Sequence, residues 1–314
     1  MAPRKPKPID QLSPAQAETT SALMRDLRKQ MSEVSSETAA FLVNVYYQSQ
    51  HARIQNNNRE AALVKDGHTH LEHVRLLSAI NGNLEDEVKL WLDTYSLSTG
   101  PGRWLRSQIG IGPVIAAGLL AYLDITKAQY VSSFWQFAGL APGQRKKAGV
   151  KINYNPQLKT LCFKLGESFI KVSNNPNSIY GAIYQQRKNY EWGKNLRGEY
   201  ASTIGTLGYA FDKETESYKW TTGKFKGYRE TSLGLAGVPA EGESEGVKML
   251  PPMSITKRAA RYAVKRLLSD LWVVMYKDHY KTDTVPSLPW VNTHTEHHDY
   301  KPPDETVAEE FFQD

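Results

Sequence analysis

The spacing of apolar residues predicts that the first third of the chain is helical. Apolar side chains recur there every three or four positions, the spacing of a helix that buries one face. A serine that can cap a helix precedes Pro14, so we predict one long helix from residue 13 to about residue 50. The polar run at residues 55–58 predicts an interruption. A second helical region follows, with a place for a bend at residues 81–82, and it ends at the Gly-Pro-Gly sequence of residues 100–102.

Residues 105–120, LRSQIGIGPVIAAGLL, predict two helices joined by a tight turn, a helix-hairpin-helix. Gly110 and Gly112 flank Ile111, and we expect a positive φ at both glycines, which costs glycine little. Pro113 fits the first position of the second helix, where its missing N–H is no loss. Because a helix amino terminus binds phosphate readily, Gly110, Ile111 and Gly112 are candidate DNA-binding residues. The alternative is a tight helical corner that binds nothing.

Basic residues are concentrated directly after the hairpin. A serine at position 132 or 133 can cap a short helix that ends at Gly139, and a loop rich in glycine and proline follows. This loop carries four candidate phosphate ligands, Arg145, Lys146, Lys147 and Lys151. An Asn-Pro pair at residues 155–156 then begins a helix whose apolar side chains fall in one stripe.

The last third of the chain has two further helical stretches with an irregular region between them. We predict a helix at residues 177–192, a small β-hairpin where residues 218–225 alternate between apolar and polar, and a flexible linker at residues 233–252. Ser254 then caps a strong final helix. Four basic side chains lie in one stripe of this helix, about 100° wide, which favours a surface that faces phosphates over a solvated face. They are Lys257, Arg258, Arg261 and Lys265.

The composition is that of a moderately basic globular protein. A net charge of +6 and a pI near 9.1 permit nucleic acid as a partner. No apolar run reaches the roughly 20 residues of a membrane span, and the first residues lack the apolar core of a signal peptide, so we expect a cytoplasmic protein without membrane contact. Cys162 is the single cysteine, which excludes an internal disulfide and a zinc site built from cysteines.

Two groups of histidines are the remaining candidates for a metal site. They are His68, His70 and His73, near Glu72, and His294, His297 and His298, near Asp299. No zinc-protease signature accompanies them, so surface histidines are the better interpretation, and we expect no metal or other cofactor. Tyr154, beside the basic loop, is a weak candidate for a nucleophile.

Three stretches in a fixed order carry a resemblance to a known family. They are RWLRSQIGIGPVIAAGLLAYLDI, FWQFAGLAPGQRKKAG and NPQLKTLCFKLGESF. They resemble the carboxy-terminal domain of the insertion-sequence transposases that combine a RuvC-like DEDD domain with a nucleophilic serine, the bridge-RNA-guided recombinases. The resemblance covers residues 84–173, including a helical lead-in similar to that family's coiled coil. RAARYAVKRLL and the histidine-containing end resemble stand-alone transposase-like proteins that lack the RuvC part.

Two departures limit the activity that this resemblance implies. In the transposases the loop after the GLAP motif carries a serine pair followed by glycines, and a serine attacks DNA. Residues 145–149 read RKKAG here, so a matching nucleophile is missing. The amino-terminal half shows no strands with the interspersed aspartates of a RuvC-like metal site. Lysine can hold a phosphate but cannot form the phosphoserine bond needed for strand rejoining, so the resemblance implies DNA contact without the serine chemistry.

The sequence therefore predicts a mainly α protein, in which long amphipathic or coiled-coil-like helices lead into a helix-hairpin-helix domain, with room for a small β-hairpin insertion. We expect a flexible basic arm, a coiled-coil-like region, the transposase-like domain, an insertion with a linker, a basic helix with the histidine-containing segment, and an acidic tail. Their bounds are 1–12, 13–100, 101–200, 201–253, 254–300 and 301–314.

The predicted function is binding of DNA, with RNA as the alternative, directed by backbone and shape. We expect self-association through the amino-terminal helices. Two other functions are left open by the sequence: an active strand-transfer or nicking enzyme that uses an unmatched nucleophile or a partner domain, and a structural assembly protein.

Overall fold

The computed structural model of the chain is mainly helical, as predicted. It describes residues 14–142, 149, 151–197, 199–200, 211–212, 217–218, 250 and 252–286. Its helices are α1 (Pro14–Gln30), α2 (Ser36–Lys65), α3 (Glu72–Leu97), α4 (Gly100–Ser107), α5 (Pro113–Tyr122), α6 (Val131–Phe137), α7 (Pro156–Lys171), α8 (Ile179–Leu196) and α9 (Pro252–Tyr280). A 3₁₀ turn covers Ile125–Lys127, and the short strands β1 (Phe211–Asp212) and β2 (Ser217–Tyr218) pair antiparallel.

The single long helix predicted from residue 13 to residue 50 is wrong in its bounds. A helix does begin at Pro14, but it ends after 17 residues and α2 begins separately. Ser35 caps α2, because its side chain accepts a hydrogen bond from the N–H of Thr38 (3.2 Å). Met31, in the connection, is only 4% exposed, so the break is packed into the protein.

The interruption predicted at residues 55–58 is also wrong, because α2 continues through it. Two polar contacts with α3 hold this part of α2. Arg53 Nε binds Glu85 Oε2 (2.6 Å), and the hydroxyl of Ser78 donates a hydrogen bond to Asn57 Oδ1 (2.5 Å). The polar run is therefore a face of a two-helix hairpin formed by α2 and α3.

The chain divides into two compact units, residues 1–165 with 267–314, and residues 166–266. In the first unit, α2 and α3 pack on α5 around an apolar core. This core consists of Val43, Val88, Leu92, Val114 and Ala117. The helices of the predicted coiled-coil-like region and the second helix of the hairpin thus share one core.

The small residues of α5 let α7 approach closely. A Cβ at Gly118 would lie 2.6 Å from Leu161 Cδ2 on α7, so no larger residue fits there without a shift of its neighbours. The predicted start of α7 is confirmed, because the N–H of Leu158 donates a hydrogen bond to Asn155 Oδ1 (3.1 Å). Its predicted apolar stripe is buried at five positions, Leu158, Leu161, Cys162, Leu165 and Phe169.

The Gly-Pro-Gly sequence of residues 100–102 begins a helix, although we predicted that it ends one. Thr99 caps α4 by accepting a hydrogen bond from the N–H of Gly102 (3.2 Å), and Pro101 lies in the first turn, where its missing N–H is no loss. A Cβ at Gly102 would lie 1.8 Å from the carbonyl oxygen of Ser96. Glycine is therefore required for α3 and α4 to meet at this distance.

In the second unit, Tyr200, Leu250 and Ile255 form a small apolar core against which Trp192 of α8 packs. Asn195 fixes Leu250 with two hydrogen bonds to its backbone. The side-chain amide donates to the Leu250 carbonyl oxygen (3.0 Å), and its oxygen accepts from the Leu250 N–H (2.7 Å). These bonds join α8 to the residues just before α9.

Three smaller predictions are corrected or untested. Ser254 is not the cap of the final helix, because α9 begins at Pro252. The serines at 132 and 133 do not cap α6, which begins at Val131 without a side-chain cap. The predicted hairpin at residues 218–225 lies outside the described residues apart from its first residue, which pairs with Phe211. The basic arm, the acidic tail and most of the insertion and linker also lie outside the described residues.

Candidate nucleic-acid interface

The turn between α4 and α5 is compact and depends on one glycine. Gly110 has a φ of 98°, the left-handed region that glycine adopts without strain, so this part of the prediction is confirmed. The N–H of Ile111 donates a hydrogen bond to the carbonyl oxygen of Gln108 (3.0 Å), which closes the turn. Ile111 itself is 4% exposed and anchors the turn in the protein interior.

The prediction for Gly112 is wrong. Its φ is −90°, and a Cβ at this position would meet no atom within 4 Å. Gly110 is thus the glycine of this turn that takes a positive φ, and Gly112 serves as the residue before the helix, without a side-chain cap. The first helical position of α5 is occupied by Pro113, as predicted.

Arg106 holds the hairpin turn, a role that the sequence did not reveal. Its Nη1 donates a hydrogen bond to the carbonyl oxygen of Ile111 (3.0 Å), while Nε (3.2 Å) and Nη2 (2.8 Å) donate to Asp93 Oδ1 on α3. The arginine therefore ties the turn to a different helix. No pattern in the sequence indicated this contact, since Asp93 is 13 residues away and belongs to another element.

Gln108 is a second residue that the sequence analysis missed. It is 8% exposed, and its side-chain amide donates hydrogen bonds to the Trp104 carbonyl oxygen (3.2 Å) and to Ser107 Oγ (2.9 Å). These bonds satisfy the last turn of α4 from inside the hairpin. The hairpin thus uses its polar side chains to stabilise itself.

The loop that carries the basic cluster leaves and returns at one place. Gly139, with a φ of 66°, ends α6, and the N–H of Leu140 bonds back to the Trp135 carbonyl oxygen (2.8 Å). The chain returns where the N–H of Asn155 donates to the Phe137 carbonyl oxygen (2.8 Å). The loop is therefore closed at its base by the main chain.

Three of the four candidate ligands in this loop, Arg145, Lys146 and Lys147, lie outside the described residues. Lys151 is described and exposed. Tyr154, the candidate nucleophile, packs at the base of the loop: a Cβ at Gly139 would lie 2.9 Å from its ring, and Lys159 Nζ is 4.3 Å from the ring centre. Its ring thus has a structural role.

The predicted cationic stripe of α9 is exposed at three positions and half-buried at the fourth. Lys257, Arg258 and Arg261 are exposed, whereas burial, with the charges of Arg261 and Arg187 nearby, lowers the pKa of Lys265 to about 8. A carboxylate lies beside the stripe, because Arg258 Nε pairs with Glu191 Oε2 of α8 (2.9 Å). The sequence spacing on α9 could not reveal this partner.

The two histidine groups and Cys162 are the remaining candidates for chemistry. Within the described ranges, no group of three His, Cys, Asp or Glu side chains could hold a metal ion, and His68, His70 and His73 are each exposed. The second histidine group, His294, His297 and His298 with Asp299, lies outside the described residues. Burial raises the pKa of the Cys162 thiol to about 12, so this cysteine is unreactive.

In the part of the chain that the structure describes, no helix combines the length and apolarity of a membrane-spanning segment. Comparison of the chain with protein-family models, curated proteins and solved structures gives no match. The similarity to transposase carboxy-terminal domains thus rests on the three sequence stretches alone.

Proposed function

We propose that the protein binds DNA through the phosphate backbone, as a transposase-related protein in which the catalytic serine has no counterpart. The observation that supports this best is the built hairpin: a turn with Gly110 in the left-handed region, Pro113 opening α5, and Arg106 bonded to the turn. The first N–H groups of a helix have no intrahelical acceptor, so those of Val114 and Ile115 are donors for a phosphate oxygen.

The hairpin supplies donors but little charge. Arg106 is engaged with Asp93, and the residues that open α5 are apolar. Affinity for a polyanion must then come from lysine and arginine elsewhere, since counterion release from phosphates dominates such binding. We assign this role to the basic loop, Arg145, Lys146, Lys147 and Lys151, with the α9 stripe as a second contact. RNA is the alternative ligand.

Self-association through the amino-terminal helices is part of this proposal. Four apolar side chains of α3 are between 41% and 52% exposed, namely Leu76, Leu77, Ile80 and Leu84. At 100° per residue they fall in one arc about 100° wide, so they form a single face. A second copy with the same face would cover it by helix pairing.

The salt dependence of binding tests the assignment of the basic loop. Replacing Arg145, Lys146, Lys147 and Lys151 by Ala should flatten the slope of log affinity against log salt, by about 0.9 for each phosphate of a DNA duplex that the variant no longer neutralises. The measurement is fluorescence anisotropy with a labelled duplex between 50 and 300 mM salt, repeated with an RNA duplex. This range includes the physiological ionic strength of about 0.15 M, where the Debye length is about 8 Å.

A matched control removes the same charge elsewhere. Lys29, Lys65, Lys127 and Lys281 are exposed lysines of the first unit, and their replacement by Ala lowers the net charge equally. A control slope as flat as that of the loop variant would mean that net charge alone drives binding. An unchanged slope in a folded loop variant would remove the loop from the interface.

A further inference from the structure

Glu191 of α8 lies at the centre of a cluster in the second unit, which we call the Glu191 cluster: Glu191, Arg187, Arg258 and Tyr200. The carboxylate side chain is 2% exposed. Arg187 Nη2 (2.7 Å) and Nε (2.9 Å) donate to its Oε1, while Arg258 Nε (2.9 Å) and the hydroxyl of Tyr200 donate to its Oε2. A buried carboxylate with this many donors is a fixed anchor for both arginines.

The ionised form of Glu191 is the one that this cluster holds. Burial raises the pKa of Glu191, but hydrogen bonds from Tyr200 and Arg187 and the charges of Arg187 and Arg258 outweigh burial and lower the pKa below its ordinary value. Two arginines against one carboxylate leave the cluster with a net charge of +1.

The two arginines differ in the number of nitrogens that bind Glu191 and in the exposure of their side chains. Arg187 donates from two nitrogens to Glu191 and is 25% exposed, and its guanidinium carbon is 4.7 Å from the ring centre of Tyr190 and 4.5 Å from that of Tyr262. Arg258 is bound through Nε, is 40% exposed, and lies over the ring of Tyr200 (4.4 Å). Among the described residues, no carboxylate other than Glu191 pairs with Arg258.

Arg258 is therefore held at one end of its guanidinium, while its side chain as a whole is 40% exposed. Its Nε is bonded to Glu191 and its guanidinium lies over the Tyr200 ring, so little rotamer freedom remains. A fork of two guanidinium nitrogens matches two oxygens of a phosphate group. Lys257 and Arg261, exposed on the same stripe, add positive charge beside it.

We propose that Arg258, positioned by Glu191 and Tyr200, is a geometrically specific phosphate contact for a DNA backbone, while Lys257 and Arg261 act as exchangeable point charges. This inference rests on the proposed DNA binding and names the residue that makes one of its contacts. It differs from the contact at the hairpin, because it belongs to the second unit and uses a side-chain fork in place of backbone N–H groups.

Exchange of arginine for lysine separates a fork from a point charge. Arg258→Lys keeps the charge and removes the fork, so we expect its affinity for a 20-base-pair duplex to fall about tenfold, close to the decrease for Arg258→Gln. Arg261→Lys, at an exposed position of the same stripe, is the comparison and should reduce affinity less than Arg258→Lys does. The matched control is Arg197→Lys, because Arg197 is an exposed arginine outside the stripe that also pairs with a carboxylate, and it should leave affinity within twofold. Tyr200→Phe keeps the ring under Arg258 but removes a hydrogen bond to Glu191, so it should lower the Tm and reduce affinity less than Arg258→Lys does.

A second probe works without DNA binding. Inorganic pyrophosphate should raise the Tm of the wild-type protein, and Arg258→Lys should abolish this rise while Arg261→Lys keeps it. If wild-type protein binds no duplex, the proposed function fails, but a rise with pyrophosphate that depends on Arg258 still supports the phosphate site. Equal effects of Arg258→Lys and Arg261→Lys would overturn the inference. It would also be overturned if pyrophosphate did not raise the Tm of the wild-type protein and neither exchange changed the affinity for DNA.

Discussion

The hairpin turn and the Glu191 cluster use arginine in different ways. At the hairpin, Arg106 spends all three of its nitrogens on Asp93 and the Ile111 carbonyl oxygen. In the Glu191 cluster, Arg258 is bound to the carboxylate through Nε and its side chain is 40% exposed. An arginine inside the hairpin is therefore not by itself available to a phosphate. The atoms that are already engaged decide what remains for a ligand.

The largest effect is expected from a change that separates α4, which carries Arg106, from α3, which carries its partner Asp93. Gly102→Ala places a Cβ 1.8 Å from the Ser96 carbonyl oxygen, so α3 and α4 must separate. We expect the free energy of unfolding to fall by about 3 kcal/mol or more, measured by urea denaturation. Gly112→Ala is the matched control, because its Cβ meets open space, and it should change stability by less than about 1 kcal/mol. Equal losses would contradict the close approach at Gly102.

A smaller effect is expected from Arg106 itself. Arg106→Met removes three hydrogen bonds, two of them to a carboxylate, and keeps an apolar stem of similar length. We expect a loss of about 2 kcal/mol in the free energy of unfolding. Arg261→Met, at an exposed position of the other unit, should cost less than about 0.5 kcal/mol. If both changes cost the same, Arg106 would be no anchor.

The smallest effect on stability is expected at Lys265, the half-buried cation of the α9 stripe. Because the pKa of Lys265 is lowered to about 8, the unfolded chain binds the proton more tightly, and the contribution of this group to stability rises with pH between about 8 and 10.5. At pH 7 the charged lysine destabilises the folded state. Lys265→Met should therefore raise the free energy of unfolding by about 1 kcal/mol at pH 7. The full pKa shift corresponds to about 3 kcal/mol, but solvent screens a half-buried group and reduces the effect.

The pH dependence of that gain is its check. Urea denaturation at pH 7 and at about pH 10.5 should show most of the advantage of Lys265→Met lost at the higher pH, where the lysine is neutral in the folded state and about half neutral in the unfolded chain. Lys257→Met, on the exposed part of the stripe, is the matched control for the loss of a lysine charge. A gain of equal size at both pH values would point to better packing by methionine.

Local chemistry made several elements predictable from the sequence. The helix class, Pro14, Pro113, the Asn155 cap and the buried stripe of α7 each depend on residues within one element, and each is confirmed. The sequence also identified Gly110 correctly, since a short turn between helices requires a positive φ somewhere.

The features that sequence analysis missed depend on partners in other elements. The polar run at residues 55–58 stays helical because Ser78 and the Arg53 contact with Glu85 hold it, and α3 cannot be read from the sequence of α2. A positive φ was also predicted for Gly112, but its φ is −90°, which residues other than glycine adopt as well. In the candidate site, the α9 stripe was found by spacing, but its partner Glu191 lies 67 residues away from Arg258.

Because the basic loop is closed at its base, the residues within it can change with little effect on the folding of the protein. The main-chain bond from Asn155 to Phe137, and the Tyr154 ring against Gly139, fix where the segment departs and where it rejoins, whatever lies between. Loop-closure entropy grows only slowly with length, so insertions within such a segment change stability little. The residues carried there can therefore be exchanged without rebuilding the helices at the base of the loop.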